Sequence, residues 1–472
     1  MTTLRFHGSA AVLLLPLALF VAVTARLFIS EAAFDLTGLA AAGVLTLFSG
    51  SLLAKSPSEY WKAAVRGASS ELTGTVVLIL IASGIFSAMM RASGVADGLV
   101  FLGGMLHLTG HAVTVFVLLA SSLMAAATGS SIGTLLAAMP IFFPAGVALG
   151  ADPAMLAGAV LSGAIFGDNL APVSDVTVIS SVTQRFRDGT PADIAGVVRT
   201  RLPYAMTALA VSMPVYAFMG ASRPVSEAAL SGDASALLML VPVAVLIAVA
   251  VRTRDVLMAI SAGAVTGTAT GLLIGRLSFA TIFAADDGRL SGFLISGISN
   301  VSPIILLCVT LFAFTGIVRE AGVPDMMAKA LEAGSAGRPS ALRTELFLSA
   351  ATLVVTTLFA AVTSASVALV GSLTDDIGRA SNVHPYRRSH ILSGLANSLP
   401  VLMPFSAFVL ITMAAVSGLE GAAAVTPFTL MTAAFYPIAL FLVFGFMVLT
   451  GTGRMMETPE PEAAEAKTAT AL

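Results

Sequence analysis

The sequence predicts an all-α polytopic membrane protein with about ten transmembrane crossings and two re-entrant hairpins, arranged as two inverted-topology repeats that each hold a broken helix. Three observations predict it. Charged residues make up 11% of the 472 positions and hydrophobic ones 57%, whereas a soluble domain carries roughly 25% charged residues. Apolar runs of the ~20 residues needed to cross hydrocarbon recur along nearly the whole chain. Motifs of the first half also return in the second, in the same order.

The elements follow in sequence. Arg5 precedes "AAVLLLPLALFVAVTA" (10 to 25), which imitates a signal peptide with "AVTA" as its cleavage site. The apolar stretch continues through Leu27 to Ile29, so a retained first helix is expected. Crossings are expected near 9 to 30, 34 to 54, 71 to 91, 153 to 183, 200 to 220, 236 to 251, 255 to 275, 293 to 318, 386 to 416 and 427 to 449. The stretches 111 to 149 and 346 to 378 have polar, small-residue centres, "ATGSSIGT" and "VTSASVAL". Each reads as a re-entrant hairpin or as a pair of full crossings, and either returns the chain to the side it left. The segment "METPEPEAAEAKTATAL" (456 to 472) has no apolar face and is expected to be disordered. The resulting organisation is N-terminal scaffold helices over 1 to 70, a first repeat over 71 to 220, connecting helices over 221 to 292, a second repeat over 293 to 450, and a tail over 451 to 472.

Charge distribution orients the chain, because short loops rich in Lys and Arg stay cytoplasmic. Lys55, Lys62 and Arg66, then Arg185, Arg187, Arg199 and Arg201, then Arg252 with Arg254, and the 319 to 345 loop all fall on one side. Glu31 with Asp35, Asp97, Glu227 with Asp233, and Asp286 with Asp287 fall on the other. Both termini are therefore expected inside a bacterial inner membrane, with Arg454 in agreement. The balance of 24 basic against 26 acidic residues argues against nucleic acid, which needs a concentrated basic face. Cys308, the single cysteine, sits in an apolar run with no disulfide or metal partner and reads as packing.

The repeat rests on three pairs: "SGIFSAMMRASGV" (83 to 95) with "TGIVREAGV" (315 to 323), "AAATGSSIGTLL" (125 to 136) with "AAVTSASVALVG" (360 to 371), and "LSGAIFGDNLAPVS" (161 to 174) with "LSGLANSLPVLMPFS" (392 to 406). The charge bias places the Arg91 end outside and the Arg319 end inside, so the second copy is inverted. Inverted repeats with discontinuous helices are the architecture of secondary transporters, with the substrate site near the midplane. The two breaks lie at Gly167 to Ser174, around Pro172, and at Asn397 to Pro404, around Pro400. Proline removes a donor and blocks the preceding turn's bond. Such backbone is tolerated at membrane depth only where protein or water satisfies it.

Oxygen donors collect at these breaks. The first offers Asp168, Asn169, Ser174, Asp175 and Thr177, and the first hairpin tip adds Thr128, Ser130, Ser131 and Thr134. The second repeat offers Thr363, Ser364, Ser366, Asn397, Ser398 and Ser406 as a neutral pocket. Such ligands suit hard cations, whereas softer metals want Cys or His; Asp168 and Asp175 are the expected Na⁺ ligands. An ionised Asp at the bilayer centre costs a few kcal/mol, so it is either paired with a cation or protonated. Competition between those two states is an exchange mechanism that needs no organic or metal cofactor, Na⁺ and H⁺ being the transported or coupling ions. Structural readings stand beside these: Asp168 as a cap for the second half-helix, and Ser and Thr bonding back to helix carbonyls. His107 and His111 read as headgroup-level residues, Arg91 and Arg319 as helix-end markers, and Asp375 and Asp376 as hydrated.

The motif "ATGSSIGT", followed some 35 residues later by "SGAIFGDNLAPVSDVT", resembles the signature of the NhaC-type Na⁺/H⁺ antiporters of the ion-transporter superfamily. The similarity covers the chain from about Glu71 to Leu449. It implies a scaffold and a mobile transport part, a homodimer, and cation binding by Asp168, Ser174 and Asp175. Members of that family tend to carry Lys where Asn169 stands, and "SDTT" where this chain has "SDVT". Relatives also move organic acids or amino acids with Na⁺ or H⁺, so the cargo is either a small cation or a small organic solute. No Arg stands in the four central motifs, which favours the cation. An intramembrane aspartyl protease would need a Gly-x-Gly-Asp step, but Ile165 stands two before Gly167 and the second repeat lacks a partner acid. A channel builds one filter about a pore axis, which two inverted breaks do not suit.

Overall fold

The computed structural model of the protein describes residues 4–8, 10–27, 36–172, 174–221, 234–253, 255–286, 289–323 and 340–457. Its helices are α1 (Leu14–Ala25), α2 (Leu36–Leu53), α3 (Pro57–Ala68), α4 (Glu71–Ser93), α5 (Val95–Met105), α6 (His111–Thr128), α7 (Ser131–Ala148), α8 (Pro153–Leu170), α9 (Asp175–Val182) and α10 (Ile194–Met219). They continue as α11 (Leu240–Thr253), α12 (Val256–Leu273), α13 (Phe279–Ile282), α14 (Phe293–Glu320), α15 (Ala341–Leu358), α16 (Thr363–Ala380), α17 (Pro385–Ala396), α18 (Ala407–Val416), α19 (Pro427–Ala433) and α20 (Phe435–Thr450). Among the described residues, seven helices are long and apolar enough to cross a membrane, or nine if each bent pair counts as one span. Every apolar stretch read as a crossing holds a helix at its expected place. Helices α1, α2, α11 and α12 are the shorter members of that set.

Helix ends follow local chemistry. Ser70 caps α4 by accepting from the Thr73 amide, Asp152 caps α8 through the Met155 amide with Pro153 behind it, and Asp193 caps α10 through the Gly196 amide. The 55 to 70 connection is itself an amphipathic helix, α3, with Tyr60, Ala63 and Ala64 buried and Lys62 outward. It lies so close to α14 that a Cβ on Gly67 would stand 2.3 Å from the Phe312 carbonyl oxygen. A short hairpin pairs β1 (Ala284–Asp286) antiparallel with β2 (Arg289–Ser291).

The second half repeats the element order of the first: a long helix, a helical hairpin and a broken helix. Packing repeats too. Helix α6 packs on α8 as α15 does on α17, and α7 on α8 as α16 on α17. Across the halves, α7 packs on α18 while α16 packs on α9. Those two crossed contacts exchange equivalent elements, which is what a two-fold relation between the repeats requires. The leading helices α4 and α14 cross where Gly84 meets Gly297; a Cβ on Gly84 would be 2.4 Å from the Gly297 carbonyl oxygen. Small residues allow that approach.

One expectation changes. Residues 451–457, assigned to the disordered tail, fold back on the body: Met456 bridges to Val383, and the Glu457 amide donates to the Asn382 carbonyl at 2.8 Å. Residues 458–472 lie outside the described residues, as do Glu31, Asp35, Glu227, Asp233, Arg254 and Asp287.

Candidate cation site

Pro172 has no amide hydrogen, so the Asp168 carbonyl four residues earlier loses its helical donor. Helix α8 stops at Leu170 and α9 begins at Asp175. The Thr177 hydroxyl, from α9, takes up the freed Asp168 carbonyl at 3.4 Å. Ser174 stands at the N-cap position of α9 but makes no capping bond; it donates instead to Asp168 Oδ1 at 2.7 Å. Asp168 itself is only 4% exposed.

The hairpin tip closes on the same carboxylate. Gly129 adopts φ 70°, the left-handed turn that ends α6, and Ser130 caps α7 by accepting from the Gly133 amide at 3.1 Å. Ser131, next along, donates to Asp168 Oδ2 at 3.2 Å. The approach depends on Gly167, where a Cβ would stand 2.3 Å from the Ala126 amide nitrogen. Both Asp168 oxygens thus receive a neutral hydroxyl, one from the broken helix and one from the hairpin. Among the described residues no Lys, Arg or His lies within ion-pair distance of it.

Other expected members face elsewhere. Thr128 bonds back towards Ala125 and lies 3.4 Å from the Thr134 hydroxyl. Asp175 is exposed in the first turn of α9, where its charge complements the helix dipole. Asn169 is buried and turned to the second repeat: its amide donates to the Tyr436 hydroxyl at 3.3 Å, and its oxygen accepts from Ser393 at 3.1 Å.

In the second repeat the hairpin tip again meets the break, with the Ala407 amide donating to the Ala360 carbonyl at 2.8 Å. Ser366, Ser398 and Ser406 bond back to the carbonyls of Val362, Leu395 and Val401. Thr363 is buried and Ser364 half-buried. Asn397 is fully buried, and neither its Nδ2 nor its Oδ1 has a partner among the described residues.

The residue that the sequence reading misplaced is Arg201, counted there as a loop cation. It lies in α10 and is fully buried. Its Nη1 donates to the Asn169 carbonyl at 2.9 Å, to the Ser393 hydroxyl at 2.9 Å and to Thr177 at 3.3 Å. Its Nη2 reaches the hydroxyls of Ser180 at 3.3 Å and Ser389 at 3.2 Å. A guanidinium missing from the central motifs is thus delivered to both of them by a neighbouring helix. Arg199 and Arg201 stand two apart, a spacing that cannot share one helix face; Arg199 is exposed and Arg201 buried.

Asp375 also departs from expectation. It is buried, pairs with Arg388 at 2.9 Å and accepts from the Arg185 amide at 2.7 Å, whereas Asp376 is exposed as expected. Arg387 and Arg388, adjacent cations in an apolar span, are both fully buried. Cys308 is buried and free, and Arg319 ends α14 exposed.

Comparison with known proteins finds similarity to antiporters. Residues 3–221 match the model of the Na⁺/H⁺ antiporter family. The chain is similar to the Malate-2H⁺/Na⁺-lactate antiporter of Bacillus subtilis, 31% identical over 176 residues that cover 37% of this chain and 36% of that protein. It is also similar to the Na⁺/H⁺ antiporter NhaC of Alkalihalophilus pseudofirmus, 28% identical over 280 residues that cover 54% and 58% of the two chains. The matches therefore span about a third to little over half of these relatives' length. Among solved structures, Neisseria gonorrhoeae MtrF aligns over 82% of this chain and 84% of its own, with TM-score 0.38 and 11% identity. The part that matches the Na⁺/H⁺ antiporter family model, residues 3–221, carries Asp168 and its hydroxyl donors.

Proposed function

We propose that this protein is a secondary active transporter that exchanges cytoplasmic Na⁺ for H⁺ through Asp168 by alternating access. One observation carries the reading: a buried carboxylate whose two oxygens meet only neutral hydroxyls. Such a group at membrane depth needs a proton or a cation to neutralise it, and it can hold only one at a time. Ser131 and Ser174 supply the first oxygens of a cation shell, and carbonyls freed at the break supply more. Because Ser131 belongs to the hairpin and Ser174 to the broken helix, relative movement of the two would open the shell.

A second reading couples the ion to a small organic acid. Arg201, a guanidinium held between the first break and α17, supports it, and so does the name of the Bacillus relative, which moves malate and lactate. In both readings the protein lies in a bacterial inner membrane with both termini inside, and works as a homodimer.

Everted membrane vesicles carrying the protein provide the test, with collapse of a preset pH gradient followed on adding Na⁺. Collapse in the parent and none in Asp168→Asn at equal expression is expected. A parent that leaves the gradient untouched by Na⁺, Li⁺ and K⁺ would sink the exchange reading, and activity persisting in the variant would remove Asp168 from it.

A further inference from the structure

A narrow cleft lies between the helices α4 and α14 on one side and α7 and α18 on the other. Its walls carry Arg91, Asn300, Ser83, Ser87 and Ser417 together with Leu136. Five polar side chains thus share one cleft. Their hydrogen-bonding capacity is nearly all unspent: among the described residues, the bond from Arg91 Nη1 to the Gly418 carbonyl at 2.6 Å is the one side-chain hydrogen bond that any of the five makes. Ser83 is 3% exposed and its hydroxyl has no partner. Desolvated hydroxyls are ordinarily satisfied, so a bare one on a residue that lines a cleft marks a place for a polar partner.

The donors converge. A Cβ built on Gly418 would stand 2.6 Å from Arg91 Nη1 and 3.5 Å from Asn300 Nδ2, so cation and amide approach the same point. No Asp or Glu lines the cleft, and Arg91 makes no ion pair among the described residues. From Arg91 to Ser83 the cleft descends eight residues of α4, about 12 Å at 1.5 Å per residue. Leu136, on its wall, lies five residues along α7 from Ser131, about 7.5 Å from the turn that holds Asp168. A guanidinium with no compensating acid at the mouth of a low-dielectric cleft repels cations and attracts anions. Its planar fork, set beside an amide and several hydroxyls, matches a carboxylate.

We propose that this cleft binds a small carboxylate, with Arg91 and Asn300 gripping its carboxyl group at the mouth and Ser83 and Ser87 receiving polar substituents deeper in. It rests on the second reading above, and it separates the two ligands: the anion in the cleft, and the cation at Asp168.

The test is calorimetric titration of the purified full-length protein in detergent with succinate and glycolate, at constant ionic strength set by chloride. Saturable binding is expected; Arg91→Gln should weaken it at least about tenfold, Asn300→Ala several-fold, and Arg91→Lys to an intermediate degree. No binding, affinity unchanged in Arg91→Gln, or displacement by chloride at equal concentration would overturn the proposal. If Arg91→Gln is not monodisperse, Asn300→Ala decides alone, and unchanged affinity there overturns it. Exchange in vesicles without carboxylate binding would remove the cleft and leave the cation site. Binding without exchange would remove the exchange reading and leave the cleft.

Discussion

Asp168 is held by geometry that two hydroxyls define, and each is a separate handle on the proposed cation shell. Ser174 lies 2.7 Å from Oδ1 and Ser131 3.2 Å from Oδ2. Removing a hydroxyl from a buried carboxylate leaves that oxygen without its donor, at a cost of about 1–3 kcal/mol. Ser174→Ala is therefore expected to raise the half-saturating Na⁺ concentration of exchange by about tenfold or more, and Ser131→Ala by less, since its bond is longer. Equal and negligible effects of both, read from the Na⁺ dependence of gradient collapse, would take these hydroxyls out of the shell. Both serines were legible as ligand candidates because they flank a proline break and a small-residue turn. Asn169 and Asp175 stood in the same motif, yet one turns to Tyr436 and the other to the surface. Side-chain direction after a break depends on the angle between two half-helices, and a linear pattern carries no such angle.

At the scale of elements, the hairpin reaches Asp168 only because α8 lies almost in contact with α6. Gly163 and Gly167 form a small-xxx-small pair on α8. Their Cβ atoms would stand 2.5 Å from the Leu118 carbonyl oxygen and 2.3 Å from the Ala126 amide nitrogen, backbone atoms that cannot step aside. Gly167→Ala is expected to push α8 away, costing about 1–3 kcal/mol and lowering the melting temperature of the detergent-purified protein. It should also abolish exchange, since Ser131 moves with the hairpin. Wild-type melting and exchange in that variant would show the crossing to be looser than described. By contrast Gly445, on α20, has open space where a Cβ would go, and serves as the matched control.

Over the whole molecule, two arginines from distant parts of the chain share one acid. Glu345, on α15, receives Arg387 from α17 at 3.0 and 3.1 Å, and Arg454 from the segment after α20 at 3.2 and 3.0 Å. Arg387 and Glu345 are fully buried, while Arg454 is 26% exposed. Removing the shared acid strands a buried guanidinium, so Glu345→Ala is expected to cost about 3–5 kcal/mol. Arg454→Ala, a partly exposed partner, should cost no more than about 1 kcal/mol. Thermal melting of the two variants checks the order; a larger loss in Arg454→Ala would mean that the segment after α20, and not the buried pair, ties this end together. Helix α10 bears on the molecule in a similar way, since Arg201 bonds the first break and α17, the helix that leads into the second, at once.

Hydropathy, proline position and motif repetition are local properties, so the chain read alone yields the helical membrane architecture, the two breaks, the hairpins and Asp168 as the buried acid. Three features needed the packed molecule: the fan of bonds around Arg201, the burial of Asp375 against Arg388, and the cleft under Arg91. Each joins distant parts of the chain, as Arg201 with Ser393, Arg91 with Asn300, and Asp375 with the Arg185 amide as well as Arg388. The free energy of a buried charge depends on which atoms surround it and not on its neighbours along the chain. A count of basic residues by loop could place Arg201 near the membrane surface; only the crossing of α10 with the broken helices put it inside.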